Sequence, residues 1–459
     1  MAERTLSPHA QIDAKTQIPS LNRLDSDLVV IAVLIAHFGL GILVSVAPSF
    51  ARPIYITIFA VGLTRVLLYP NKTYVTAFLF YVAGSEVFWR ATHSIIFWES
   101  GKYLVLLTLI IEIFRYRSIK MPIFVFGYLM MLMPAAFLTL SSGDFFDVRE
   151  LLAANLSGPI VLAMSIWFFS EVTINSKNLK LFLICLIAPA ISMGVYALYG
   201  LLTNENLTWT TESNWQASGG FGPNQVSASF SLAITAIFIL IVLLFENKKM
   251  KLLWIFLVIW ITGQTLLTFS RGGIFSATVV IFVIAAHLLR RHLLVILILL
   301  FILLLAYQYL FPILDNYTDN QLRERFQDPA DSRRGIIMNA ELQLFKRNPF
   351  GVGVGLSKSK ITNIVGFETA AHNEYSRLLA EHGVLGLIAM LLIGSKWIEA
   401  IFRAQGFQER ALIMGFSLWS LINMYINATR IVAIPFIFGV AFAQFKLIKP
   451  EKHSIESNP

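Results

Sequence analysis

The sequence holds 459 residues, 56% of them apolar and only 14% charged, with a formal net charge of +9. Soluble domains run near ~45–50% apolar and ~25% charged, so this composition excludes a disordered chain and argues against an ordinary soluble enzyme. The basic residues are scattered between apolar runs and form no single stripe, which speaks against nucleic acid as a partner.

Residues 1–27 are polar, contain Pro8 and Pro19, and have no apolar core followed by a small-residue cleavage site. They read as a cytoplasmic tail and not as a signal peptide. A helix needs about 20 largely apolar residues to cross ~30 Å of hydrocarbon. Such runs, some of them short, lie near 28–47, 52–69, 74–90, 101–114, 121–141, 154–172, 179–203, 223–245, 252–269, 274–289, 293–311, 378–395, 411–427 and 431–446. The expected fold is therefore all-α: a polytopic membrane protein of about 14 helices (12–14), eleven of them within 28–311 and three within 378–446. A long outside segment, 312–377, carrying short helices, separates the two groups, and residues 447–459 form a second cytoplasmic tail. The lone Cys185 excludes a disulfide framework and a cysteine-built zinc site, and its apolar setting makes it a buried structural thiol.

With the N-terminus inside, 21 of the 36 Lys and Arg fall on inside connections and tails, and nine on 312–377. Only Arg52, Arg90, Lys102, Arg149, Arg271 and Arg430 fall on the short outside connections. That bias places both termini in the cytoplasm and the long segment on the opposite face. Within it, residues 334–347 place Ile337, Ala340, Leu344 and Phe345 at helical spacing, an amphipathic helix suited to lie on the membrane surface. Pro349 and Gly351, Gly353 and Gly355 end that helix in a turn-rich loop.

The outside face also holds the residues suited to chemistry. Arg271 sits in Ser270-Arg271-Gly272-Gly273 between two spans, where an arginine is costly without a partner or ligand. The glycines permit close helix approach, and the following helix start offers free N–H groups to an anion. A snorkelling arginine is the plain alternative. Arg333 and Arg334 open the amphipathic helix, where positive charge opposes the helix dipole. They either pair with Asp331 or form a fork for a diphosphate. His372, in His372-Asn373-Glu374-Tyr375, is the side chain best suited to take a proton near neutral pH, with His382 as a competitor. Glu381 lies within the membrane layer and needs His382 or an arginine as partner. Asn224 belongs to Gly222-Pro223-Asn224, an ordered loop entering a span but lacking the lysine of a nucleotide-binding loop. No HExxH, no DxD at an outside span end and no convincing carboxylate pair marks a metal site.

Taken in order, these motifs resemble the O-antigen ligase/polymerase family of bacterial membrane glycan transferases. The resemblance rests on Gly222-Pro223-Asn224, Ser270-Arg271-Gly272-Gly273, and Ser332-Arg333-Arg334 leading to Asn348-Pro349-Phe350-Gly351-Val352-Gly353. It rests most on His372-Asn373-Glu374-Tyr375 followed by Glu381-His382-Gly383-Val384-Leu385-Gly386, and it covers roughly residues 215–395. It implies a multi-pass protein of the bacterial inner membrane with a site facing the periplasm, so that 312–377 is a periplasmic loop. There a surface-polysaccharide glycan passes from undecaprenyl diphosphate to an acceptor hydroxyl, either on the lipid A core (ligase) or on another lipid-linked repeat (polymerase). The resemblance implies no metal, no cofactor and no nucleotide sugar. It assigns Arg271 and one of Arg333 and Arg334 to the diphosphate and His372 to the acceptor, with Glu381, Asn373, Tyr375 and Asn224 in support. Spacing back from Pro349 favours Arg334. The aromatic residue the family often carries four places later is Met338 here, which leaves the register open by one. On chemical grounds, attack opposite the leaving lipid diphosphate inverts the anomeric centre. A transporter or flippase of a lipid-linked oligosaccharide predicts charges along a central path and paired halves with broken helices. A membrane scaffold gives no reason for the ordered motifs.

Overall fold

The computed structural model describes residues 26–116, 120–143, 145–204, 208–244, 247–327, 332–367 and 372–447. The expected tails, 1–27 and 447–459, lie almost wholly outside the described residues, as do the side chains of Ser332 and Arg333. The helices run in the order α1 Asp27–Val46, α2 Ala51–Leu68, α3 Lys72–Ala91, α4 Ser100–Arg115, α5 Ile123–Leu140, α6 Phe145–Phe169, α7 Ser176–Thr203 and α8 Pro223–Ile239. They continue with α9 Lys248–Leu267, α10 Arg271–Tyr317, α11 Gln321–Gln327, α12 Ser332–Arg347, α13 Ser357–Val365, α14 Glu374–Arg403, α15 Phe407–Asn427 and α16 Ala433–Val440. Among the described residues, nine helices are long and apolar enough to cross a membrane. Large apolar side chains such as Ile123, Phe137 and Phe282 point outward from them, as they must when lipid is the solvent.

The expected runs 274–289 and 293–311 fall within one helical stretch, α10. A straight helix of that length would hold its ends about 70 Å apart. Yet Tyr317 meets Trp209 at 5.8 Å between ring centroids, and Trp209 stacks on Phe269 at 5.3 Å, two residues before α10 begins. Leu314 packs with Leu267, and the Arg325 Nε donates to the Phe269 carbonyl at 3.1 Å. The stretch therefore reverses direction between Ile284, which packs on Gly415 of α15, and Leu310, which returns to Gly263 of α9.

The last expected run, 431–446, requires correction. Only Ala433–Val440 is α-helical, about 12 Å of rise, and it leads into a short strand β2, Gln444–Lys446. β2 pairs in parallel with β1, Thr173–Asn175, with Ile174 opposite Phe445. Every residue of α16 is buried, and a Cβ on Gly439 would lie 2.3 Å from the Ser165 Cβ of α6. Enclosure by protein lets non-helical backbone sit at this depth, where lipid would forbid it.

Contacts sort the connections onto two faces. On one, Asn247 bonds Asp27, Arg115 donates to the Leu67 carbonyl, Asn178 donates to Thr73, and β1 pairs with β2. On the other, Arg52 reaches the His93 carbonyl, Tyr55 bonds Ser100, Arg90 reaches the Arg430 carbonyl, and Thr139 donates to the Val354 carbonyl. The second face carries the candidate site.

The amphipathic segment 334–347 is helical within α12, but its apolar face is turned inward. Ile337, Ala340 and Leu344 are buried against Ile361 of α13 and Ala380 of α14. Protein therefore covers the surface that the sequence pattern alone offers to lipid. α14 breaks at Gly383, whose φ of 62° and ψ of −141° lie outside the helical region. The carbonyls of Ala380 and Glu381 accept instead from Val352 and Gly353 at 3.0 and 3.1 Å, and Val384 N donates to the Pro349 carbonyl at 2.7 Å. The Asn348–Gly355 loop thus supplies the hydrogen bonds the broken helix loses. A Cβ on Gly383 would lie 2.1 Å from the Pro349 oxygen, and one on Gly351 (φ 85°) 2.2 Å from the Glu381 oxygen. Gly383→Ala is expected to cost more than the roughly 1–3 kcal/mol of backbone strain alone. A lowered melting temperature of the detergent-purified variant checks this; an unchanged one contradicts it.

Candidate functional site

The first turns of α14 assemble a buried charge cluster. Arg377 reaches Glu374 at 2.5 Å and Glu381 at 2.8 Å, using i−3 and i+4 positions that share one helix face. Glu374 also accepts from the Thr429 N and Oγ1 at 3.3 and 3.2 Å, and Glu381 accepts from Ser357 Oγ at 2.8 Å. Glu341 of α12 accepts a hydrogen bond from Ser376 and is itself buried. Burial first, and the nearby carboxylates after it, push the Glu341 carboxyl up to about 7, against the lowering pull of Ser376 and Arg377. Each α14 carboxylate has a cation or donors, as burial of charge demands. The arginine that Glu381 needs is Arg377, while His382 is buried and makes no ion pair with it among the described residues.

A second buried network faces the first from α3 and the start of α4. Arg90 pairs with Glu86 at 2.7 Å and Glu99 at 3.6 Å, and Lys102 pairs with Glu99 at 2.7 Å. Arg90 also donates to the Arg430 carbonyl at 2.9 Å and to Gln225 at 3.4 Å, and its guanidinium lies 4.9 Å from the Trp98 ring centroid. Between the two networks lies a cavity of about 340 Å³, lined from both sides and also by Asn155 of α6 and Arg430.

His372 directly precedes the α14 N-cap, Asn373, whose side chain accepts from Tyr375 N at 2.9 Å. Burial first, then the charges of Arg430 and Arg334, lower the His372 imidazole to about 3, which keeps it neutral across the physiological range. Its Nδ1 is buried without a hydrogen-bond partner among the described residues. Arg430 is pressed in turn by burial and by Arg334, both of which lower its pKa. His372, Arg334 and Arg430 therefore form one electrostatic unit. Met338, at the position where an aromatic was expected, accepts a long contact from Asn373 through its sulfur at 3.6 Å.

Arg271 is the first residue of α10. Ser270, at the N-cap, spends its hydroxyl on Asn224 at 2.8 Å and makes no cap bond to the helix. The expected close approach at the glycines is present: a Cβ on Gly273 would lie 1.9 Å from Ser227 Oγ of α8, and one on Gly272 2.8 Å from Ile426 of α15. These contacts tie Arg271 to α8, where Gln225 meets Arg90, and to the end of α15, which leads to Arg430. Of the supporting residues, Asn224 positions Ser270, Asn373 caps α14, Tyr375 donates to the Leu421 carbonyl at 2.9 Å, and Glu381 lines the cavity.

Sequence reasoning missed Arg377, Glu374, Glu86 and Glu99 as site components, and counted Arg90, Lys102 and Arg430 only for topology. The signal was present in part: Glu374/Arg377/Glu381 and Glu86/Arg90 stand at helical pair spacings inside or beside apolar runs. The meeting of α3, α4 and residues 428–430 has no signature along the chain.

Residues 256–391 match the family model described as O-antigen ligase. The matched stretch takes in Arg271, Arg333, Arg334, the Asn348–Gly355 loop, His372 and the Gly383 break. The resemblance drawn from the motifs is thus found independently over this part of the chain. No curated protein matches the sequence.

Proposed function

We propose that this chain of O-antigen ligase type is a glycosyltransferase that moves a surface-polysaccharide glycan from undecaprenyl diphosphate to an acceptor hydroxyl, at a site centred on His372 and facing the periplasm of the bacterial inner membrane. The observation that carries the reading is the placement of His372 under the charges of both Arg334 and Arg430. Guanidinium groups suit a diphosphate because they stay charged and bind it in two places. With Arg271 at the uncapped start of α10, they meet the negative charge that grows on the leaving group. The acceptor hydroxyl gives its proton to His372 as its oxygen attacks the anomeric carbon. The bond from that carbon to the diphosphate breaks on the opposite side, so the centre inverts. Undecaprenyl diphosphate departs with the bonding electron pair, and no covalent intermediate forms. Neither a metal nor a nucleotide sugar takes part in this scheme, and transfer is expected to survive a chelator.

Burial, and after it the same cations that hold the donor, suppress the basicity of the base. A seated diphosphate offsets the cations' share, so His372 becomes a stronger base when a leaving group is present. The neutral imidazole is the active form, and activity is lost as pH falls through its pKa. In the free enzyme that limb, read in kcat/KM, is expected well below the ~6.5 of an ordinary histidine. Arg430→Gln removes one lowering charge and is expected to move the limb upward. A wild-type limb at ordinary histidine pH, or one indifferent to Arg430→Gln, contradicts the assignment.

Ligase and polymerase differ only in the acceptor. Parallel reactions offering purified lipid A core or a second lipid-linked repeat distinguish them, and use of neither sinks the reading.

A further inference from the structure

We propose that the cavity between the two buried charge networks is a carbohydrate chamber, holding one sugar ring of the substrate glycan against Trp98. The proposal rests on the glycan-transfer reading and assigns its sugar contacts to α3, α4 and their connection.

The chamber's volume of about 340 Å³ falls within the ~300–1,000 Å³ of small-molecule pockets. Its walls carry both signs, with Arg90, Lys102, Lys358, Arg377 and Arg430 beside Glu99, Glu374 and Glu381. Arg90, Lys102 and Arg377 are each at most 5% exposed, and so are the carboxylates Glu374 and Glu381 that share the lining. Carboxylates repel a phosphate but accept from sugar hydroxyls, whereas guanidinium and ammonium groups donate to them. A wall carrying both signs therefore matches groups that both donate and accept. The Nε of Arg90, a residue only 1% exposed, has no hydrogen-bond partner among the described residues. A buried donor left unmade is costly, and a ligand hydroxyl in the chamber would satisfy it. Trp98 lines the same space with 55% of its surface exposed; the Arg90 guanidinium lies 4.9 Å from its ring centroid and the tilted Phe221 ring 6.0 Å away. The exposed part of this broad, rigid ring, beside a polar chamber, offers apolar contact to the C–H side of a sugar. Arg430 lines the chamber, and its charge also bears on His372, which links the chamber to the proposed base. The ring belongs either to the donor, next to its diphosphate, or to the acceptor.

The test measures binding to the full-length protein in nanodiscs, using undecaprenyl diphosphate and undecaprenyl diphosphate carrying one N-acetylhexosamine as probes. Wild type is expected to prefer the sugar-bearing probe by about tenfold or more. Trp98→Ala abolishes that preference and leaves affinity for the bare probe unchanged; Trp98→Phe retains it. Arg334→Ala weakens both probes alike. If Trp98→Ala spares the donor preference but raises KM for the acceptor alone, the chamber holds the acceptor's sugar. If it alters neither quantity in a protein of unchanged melting temperature, the chamber proposal falls while the diphosphate reading stands. If wild type binds neither probe, both fall.

Discussion

Replacing His372 by alanine is expected to lower glycan transfer by about 10²–10⁴-fold, the usual range for loss of a positioned general base, while donor binding persists. The split follows from the geometry. In the proposed scheme His372 is neutral and has no charge to offer the diphosphate, whereas Arg334 and Arg430, whose charges bear on it, join Arg271 as the cations that hold it. The loss is therefore expected in kcat, with donor KM little changed. Arg334→Ala is expected to give the converse pattern, weaker donor binding with a smaller share of the loss in kcat. Single-turnover rates at saturating donor read the difference directly. A His372→Ala protein that loses donor affinity but transfers at the wild-type rate once saturated would contradict the assigned role.

The second large effect concerns Arg377. Its guanidinium holds both Glu374 and Glu381 in a buried layer. Arg377→Leu strands two carboxylates there, and removal of one partner from a buried pair costs about 3–5 kcal/mol. We expect a low yield of folded protein and a clear drop in melting temperature in detergent. The penalty comes from unpaired charge and not from lost packing, so adding Glu374→Gln and Glu381→Gln is expected to recover much of the stability. A triple variant as unstable as Arg377→Leu would show that Arg377 supports the fold by contacts other than its charge.

The helical, membrane-spanning character was legible because it follows from apolar run length, which needs only local information. The Gly272-Gly273 and Gly351-Gly353-Gly355 signals also translated directly, since only glycine permits the approach to Ser227 or the positive φ angles of the loop. Errors arose where an element's surroundings override its pattern. The face of α12 carrying Ile337, Ala340 and Leu344 has the same spacing whether lipid or α14 covers it. The 431–446 run is apolar because protein encloses it, not because an α-helix crosses lipid there. Of the proposed site residues, Arg271, Arg334 and His372 stood out through motifs in or before the long segment 312–377. Arg90 and Arg430, 340 positions apart, meet only because α3 and the chain after α15 share one end of the bundle. Long-range packing of that kind leaves no local periodicity to read.

The most direct test of the account is transfer by the purified protein in liposomes, supplied with undecaprenyl-diphosphate-linked glycan and acceptor in the presence of a chelator. Glycosylated acceptor and free undecaprenyl diphosphate would be quantified together. The account predicts that they appear in equal amounts with wild type and that both disappear with His372→Ala and Arg334→Ala. Equal transfer by wild type and His372→Ala, or movement of intact lipid-linked glycan across the bilayer with no release of the diphosphate, would contradict it.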